Sequence, residues 1–451
     1  MTRDLARDLC AVVGAALLVL AAVLIGTHLE DSYGSLHVGW PPLYAHWLPH
    51  TGPGTPAALA VAAAVVAFGP RLAARLPWRA LLCTVWATTT AWTFSLALID
   101  GWYRGIAQRL TTKYEYLQVI DRFDDIPATL RDFTHHILIG TPDNWPAHVA
   151  GHPPAATLTF VLLDRIGLGG GAWAGVWCIA VGGSAGVAVL VTVRLLAGEE
   201  WARRAAPFLV LAPAAVWAGT SADGYFAAVA GWSVALLTWA VTGQRGARAA
   251  MFGSGLLFGL TCYLSYGLTL FALVGVAVLV TVRRPVRPLR VVPFFLTGLA
   301  VVPTAFTLAG FDWWEAYRLL VERYYQGAGG IRPYGYWVWA NLACTVLVVG
   351  PATVAGLRRT GAVLVGGRGR VLRAGSGRSP ELRLALLVLA AFVALLAADL
   401  SGMSKAETER IWLPFAVWLL AAGAFLPRAR GWLAGQAVLA LALNSFLLTG
   451  W

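Results

Sequence analysis

Apolar runs long enough, or nearly long enough, to cross a bilayer recur along this chain, near residues 8–27, 55–69, 80–99, 172–194, 205–219, 224–242, 250–263, 266–282, 291–309, 336–357, 383–400, 411–427 and 432–449. In hydrocarbon the backbone must satisfy its own N–H and C=O groups, so runs of this kind fold as helices. They predict an all-α polytopic membrane protein with about 13 transmembrane helices. Composition agrees: 58% hydrophobic and 12% charged residues over 451 positions, with a mean hydropathy of +0.68, exclude a soluble fold. The first run, after MTRDLARD, has the outline of a signal peptide. It is long and lacks a small-residue cleavage site, and it reads as a retained first helix.

Charge placement sets the expected orientation. With the N-terminus inside, the loops at 3–8, 71–79, 194–204, 245–248, 283–290, 358–383 and 428–430 hold 23 of the 34 Lys and Arg residues and only five of the 22 acids. Every inner loop is then basic, as the positive-inside rule requires. The net charge of +12 is therefore read as topology, and with no basic-aromatic stripe no nucleic-acid partner is expected. The segment from Pro153 to Gly167 covers only ~22 Å as a helix, too short for a ~30 Å core, and carries Asp164 and Arg165, so it is expected to lie along the outer face. The outer surface is then built mainly from 28–54, 100–171, 310–335 and 400–410. The stretch 358–383, rich in Gly, Arg and Ser, reads as a flexible inner loop without the GK[ST] of a phosphate loop. The five cysteines are scattered singly, so neither disulfides nor a zinc site is indicated.

This gives one integral membrane domain over 1–451. Three helices occupy 1–99, an extracytoplasmic loop carrying membrane-surface helices occupies 100–171, and the rest of the bundle occupies 172–451. The long loop gathers carboxylates and histidines on one side of the membrane, which is costly unless something polar is handled there. Asp100, at the membrane–water boundary beside Trp102 and Tyr103, is placed to act as a general base. Glu115, between Tyr114 and Tyr116, is a second candidate. In His148-Val-Ala-Gly-His152-Pro-Pro the prolines fix a helix start and would present the imidazoles at its N-terminus, a site that suits a phosphate. Asp223, in a turn between two apolar helices, and Lys405 and Arg410, the cations of the last outer loop, complete the set. His135-His136 reads as a surface pair.

An outer acid after a helix, a long loop ending in His-Pro-Pro before a short helix, a Ser-Ala-Asp turn, and a late Glu-Arg before Trp-Leu-Pro resemble the GT-C membrane glycosyltransferases. The match runs over about 95–270 and 399–415. The resemblance implies transfer of a sugar from a polyprenyl-phosphate donor to a glycan, lipid or protein acceptor at the outer face of the plasma membrane, with inversion. By that analogy Asp100 first and Glu115 second deprotonate the acceptor, His148, His152, Lys405 and Arg410 contact the phosphate or donor, and Asp223 supports. The family usually places its catalytic loop after the first helix, which leaves Asp31 as another base to weigh. No paired-acid metal motif is present, so no cofactor is named and a divalent cation is left open. The rivals are a transporter or lipid flippase, in which ionisable groups tend to sit mid-span, and a non-catalytic envelope assembly protein.

Overall fold

The computed structural model describes residues 3–282, 291–367 and 378–450. The basic stretch 283–290 and the centre of the 358–383 loop lie outside the described residues. Among the described residues eight helices are long and apolar enough to cross a membrane: Arg3–Tyr33, Thr55–Arg75, Trp78–Asp100, Gly170–Ala197, Ala222–Val241, Ala247–Leu264, Tyr334–Gly366 and Pro380–Leu400. Val292–Leu308 and Trp313–Gln326, bent by 76° at their junction, add a ninth when taken as one span. The chain is thus an all-helical membrane protein, with fewer full-length spans than the thirteen apolar runs.

The other runs are shortened for local reasons. The run at 205–219 lies on Glu199–Val210, which stops before Ala212-Pro213, where proline disfavours helix for its predecessor; a single turn, Ala215–Ala218, follows. The runs at 266–282 and 411–427 become Tyr266–Thr281 and Leu413–Phe425, both under 18 residues. The last run becomes Ala429–Phe446, whose Gln436 and Asn444 are buried. Gln436 has a backbone task. Tyr334–Gly366 breaks at Gly350-Pro351, and Gln436 Nε2 donates to the freed Val349 carbonyl at 2.8 Å.

Helices in hydrocarbon associate where small residues let backbones approach. Gly255 on Ala247–Leu264 and Gly298 on Val292–Leu308 do this reciprocally, since a Cβ on either would lie 2.1 Å from a carbonyl of the other helix, Phe295 or Phe252. At the opposite end from the long loop, buried Asp8 accepts from Arg358 at 2.6 Å and Arg359 at 2.7 Å, fastening the first helix to Tyr334–Gly366.

The polar segment after Asp100 folds as short helical turns, including Tyr116–Phe123, Ile126–Asp132, Ala147–Gly151 and Ala155–Arg165. The last has 11 residues, about 16 Å of helix, well short of a bilayer core. The segment has its own core. Trp145 packs on Phe123 and Phe133, donates its indole N–H to the Phe133 carbonyl, and carries the Arg122 guanidinium 3.5 Å above its ring.

The four loop segments interlock on one face of the bundle. Arg332 donates to the carbonyls of Leu36 and Lys405, Arg323 to that of Trp145, and the Ile139 amide to Gln326. A two-stranded antiparallel ribbon pairs Ala45–Trp47 with Leu447–Thr449, closing early chain onto late chain. Trp313–Gln326 is amphipathic, with Trp314 and Tyr325 exposed, as befits a helix lying along a membrane surface.

Candidate active site

Five of the seven expected site residues meet in one buried network beneath these loops. Arg410 is its hub, carried on the short turn Thr408–Ile411. Its Nη1 donates to Asp223 Oδ2 at 2.8 Å, and its Nη2 reaches Glu407 Oε2 at 2.9 Å and His148 Nε2 at 2.8 Å. His148 Nδ1 in turn lies 2.8 Å from Glu115 Oε1. A guanidinium only donates, so His148 Nε2 accepts, and the ring's one proton sits on Nδ1, facing Glu115.

The polypeptide builds each piece locally. Ser221 accepts from the Asp223 amide and donates to Asp223 Oδ2 at 3.0 Å, which fixes that carboxylate at the start of Ala222–Val241. His152 closes Ala147–Gly151 just before Pro153-Pro154. Its Nδ1–H donates to the His148 carbonyl at 2.8 Å, with the Tyr116 hydroxyl 3.1 Å away. The imidazoles therefore bond inward to protein and are not displayed to an anion at the helix start, as the His-Pro-Pro pattern suggested.

Burial governs the protonation states. It holds His152 neutral, pushing its pKa down to about 4. Burial also works against the Arg410 cation, yet the carboxylates of Asp223, Glu407 and Glu115 outweigh it and raise its pKa. Glu407 is likewise opposed by burial but held low by Arg410 and Arg332. Next to this hub Glu409 is fully buried, with Oε1 accepting the Tyr44 amide, and burial lifts its pKa to about 7.

Glu115 lines the cleft, and like Glu409 it has one buried carboxylate oxygen without a partner among the described residues. It is 4% exposed, and the unpartnered oxygen is Oε2. Such an atom is costly unless a ligand completes it. Glu115, Tyr116, His148, Ser221, Arg410 and Arg109 line a cleft of about 10 Å³, the space of a single water, so this conformation is closed and a sugar needs loop movement to enter.

Arg109 was not anticipated from the sequence, and it links the remaining acid to this cleft. Its Nη2 donates to Asp100 Oδ2 at 2.9 Å and its Nη1 to the carbonyls of Thr449 and Gly450. Its buried Nε–H has no acceptor among the described residues. Burial lowers its pKa only to about 10, so it stays cationic at neutral pH. Asp100 also receives Arg104, and its Oδ1 meets His50 Nε2 at 2.8 Å, so both of its oxygens are engaged.

Lys405 stands apart from the network, its Nζ donating to the Gly329 carbonyl at 2.9 Å and lying over the Tyr325 ring. Asp31 is exposed at the last turn of Arg3–Tyr33. His135 and His136 both bind Asp132. Among the described residues no group of three His, Cys, Asp or Glu side chains is arranged to hold a metal ion. Glu407, Tyr116 and Ser221 join Arg109 as members the sequence did not single out. For Glu407 the signal was its position three residues before Arg410.

No protein family and no curated protein matches the chain. Among solved structures it is similar to the Archaeoglobus fulgidus oligosaccharyltransferase in complex with zinc and sulfate, at 14% identity and a TM-score of 0.44, over 80% of this chain and 53% of that one. A second similar structure is the archaeal oligosaccharyltransferase AglB from the same organism, in complex with an inhibitory peptide and a dolichol-phosphate, at 12% identity and a TM-score of 0.44, over 83% and 57%. A third is apo ArnT from Cupriavidus metallidurans, at 15% identity and a TM-score of 0.28, over 76% and 72%. The chain spans little more than half the length of the oligosaccharyltransferases. The likeness is distant at these values, and the functional reading rests on the site's own residues.

Proposed function

We propose that this protein transfers a sugar from a polyprenyl-phosphate donor to an acceptor at the outer face of the plasma membrane, inverting the anomeric carbon. The observation that carries the reading is Glu115: a buried carboxylate with one oxygen fixed by His148 and the other without a partner among the described residues, on a side chain that lines a cleft with two arginines. Glu115 Oε2 takes the acceptor's hydroxyl proton as that oxygen bonds to the anomeric carbon. The bond from this carbon to the phosphate oxygen breaks, and its electron pair leaves with the lipid phosphate. The Arg109 Nε–H, with no acceptor among the described residues, meets the charge that develops there.

The other residues orient these two. Arg410 sets the His148 tautomer, and Asp223 and Glu407 hold Arg410. Asp100, with both oxygens occupied, acts through Arg109 and is not the base. A transporter or flippase fits less well, because the charged hub lies under the loops and not in the middle of a span. General-base catalysis contributes about 10²–10⁴-fold, so Glu115→Gln, which still accepts from His148, lowers kcat by that factor with donor affinity kept. The measurement is release of prenyl phosphate from short-chain prenyl-phosphate sugars by protein in lipid nanodiscs. Near-normal turnover in Glu115→Gln, with a loss above 10²-fold in Asp100→Asn, overturns the assignment.

A further inference from the structure

A cavity lies beside the active cleft and takes no part in the mechanism above. It has a volume of about 900 Å³ and is walled by Gln118, Arg122, Asp132, His136, Asp143 and Asn144, with Trp145 as its floor. That volume sits at the upper end of the ~300–1,000 Å³ of small-molecule sites, room for more than one sugar ring. The cavity and the active cleft have no lining residue in common, but the backbone ties their walls together. Gln118 follows Glu115 by one turn, its amide donating to the Glu115 carbonyl at 3.3 Å, and the His148 amide donates to the Tyr114 carbonyl at 3.0 Å just beyond Pro146, which also lines the cavity.

Its chemistry discriminates between ligands. Arg122 lies over the Trp145 ring and uses Nη1 on the Asp143 carbonyl, while its Nε and Nη2 bond no atom of the described residues. The Asp143 carboxylate, Gln118 Oε1 and Asn144 Oδ1 also have no donor among the described residues, whereas the Gln118 and Asn144 amide nitrogens are used on carbonyls. The wall therefore offers planar donors beside planar acceptors. That pattern suits hydroxyl groups, which do both. One guanidinium faces two carboxylates, Asp132 and Asp143, so a phosphate is not favoured here.

We infer that this groove is the acceptor site and that the acceptor is a neutral glycan, whose terminal hydroxyl reaches Glu115 while its preceding rings lie against Arg122 and Asp143. The inference rests on the proposed sugar transfer and narrows its acceptor from glycan, lipid or protein to glycan. The test is ligand-observed NMR on the full chain in nanodiscs with a panel of soluble neutral oligosaccharides of pentofuranose, pentopyranose and hexopyranose units, together with inorganic phosphate and an unstructured neutral peptide.

At least one oligosaccharide binds the wild type, and Arg122→Ala weakens it tenfold or more. Asp143→Asn and Asn144→Ala, on exposed positions that leave the Trp145 stack intact, each weaken it several-fold. Glu115→Gln binds it normally while losing turnover, which separates this inference from the mechanism: an active Glu115→Gln sinks the base assignment alone. The inference is overturned if no oligosaccharide binds, if all three groove variants bind within twofold of wild type, or if the peptide or phosphate binds in place of the glycans.

Discussion

Arg410→Met removes the hub of the network and tests whether it is held by charge. The ion pair to Asp223 is 2.8 Å long and both side chains are almost fully buried. At an effective dielectric of about 20 this pair is worth roughly 6 kcal/mol of gross attraction, much of it offset by taking both ions out of water. Methionine fills much the same volume but leaves Asp223 buried without a counter-charge, while Glu407 keeps Arg332, and losing one partner of such a buried pair costs about 3–5 kcal/mol. Adding Asp223→Asn removes the stranded charge. The double variant should recover about 2 kcal/mol or more relative to the sum of the singles. Reversible unfolding in mixed micelles, run on the wild type, both singles and the double, measures this. The reasoning fails if Arg410→Met unfolds within about 1 kcal/mol of wild type, or if the two changes simply add.

The pH dependence divides between two buried groups of opposite sign. His152 has a folded pKa of about 4, below its unfolded value of about 6.5, so the unfolded chain binds the extra proton first and stability falls as pH drops from 6.5 to 4, by about 3 kcal/mol; His152→Phe should flatten this acid limb in unfolding midpoints. Glu409 has a folded pKa near 7, above its unfolded value, so its contribution is present below about pH 4.5 and is lost as pH rises towards 7, and Glu409→Gln should be more stable than wild type at pH 8 and no more stable at pH 4. Gly255→Ala puts a Cβ 2.1 Å from the Phe295 carbonyl, so Ala247–Leu264 and Val292–Leu308 must part, at about 1–3 kcal/mol; an unchanged thermal midpoint would mean this contact is not tight.

Much of the architecture is legible in hydropathy because a membrane leaves the backbone so few options, and each apolar run lies wholly or largely on helix. Counting full spans is harder. Pro213 and the Gly350-Pro351 break interrupt helices that the hydropathy pattern leaves whole, and Trp313–Gln326 turns away from the span before it. The network was legible residue by residue: Glu115, His148, His152, Asp223 and Arg410 each stand out as polar groups that are costly to bury. What sequence does not carry is partnership. Asp100 and Glu115 look alike on paper, and they differ because His50, Arg104 and Arg109 converge on the first while His148 meets only one oxygen of the second. Arg109 was not singled out because the acceptors of its Nη1, the Thr449 and Gly450 carbonyls, lie some 340 residues along the chain, even though Asp100, which takes its Nη2, is close in sequence.

That long reach bears on biosynthesis. The ribosome makes the carbonyls that hold Arg109 Nη1 some 340 residues after the arginine itself, and the ribbon joining Ala45–Trp47 to Leu447–Thr449 likewise waits for Ala429–Phe446 to be made. A nascent chain halted before residue 447 holds the Arg109 guanidinium through Asp100 alone, without the carbonyls that fix its Nη1. The cleft is therefore completed only after residues 447–450 have been made, a form of insertion timing written into the fold.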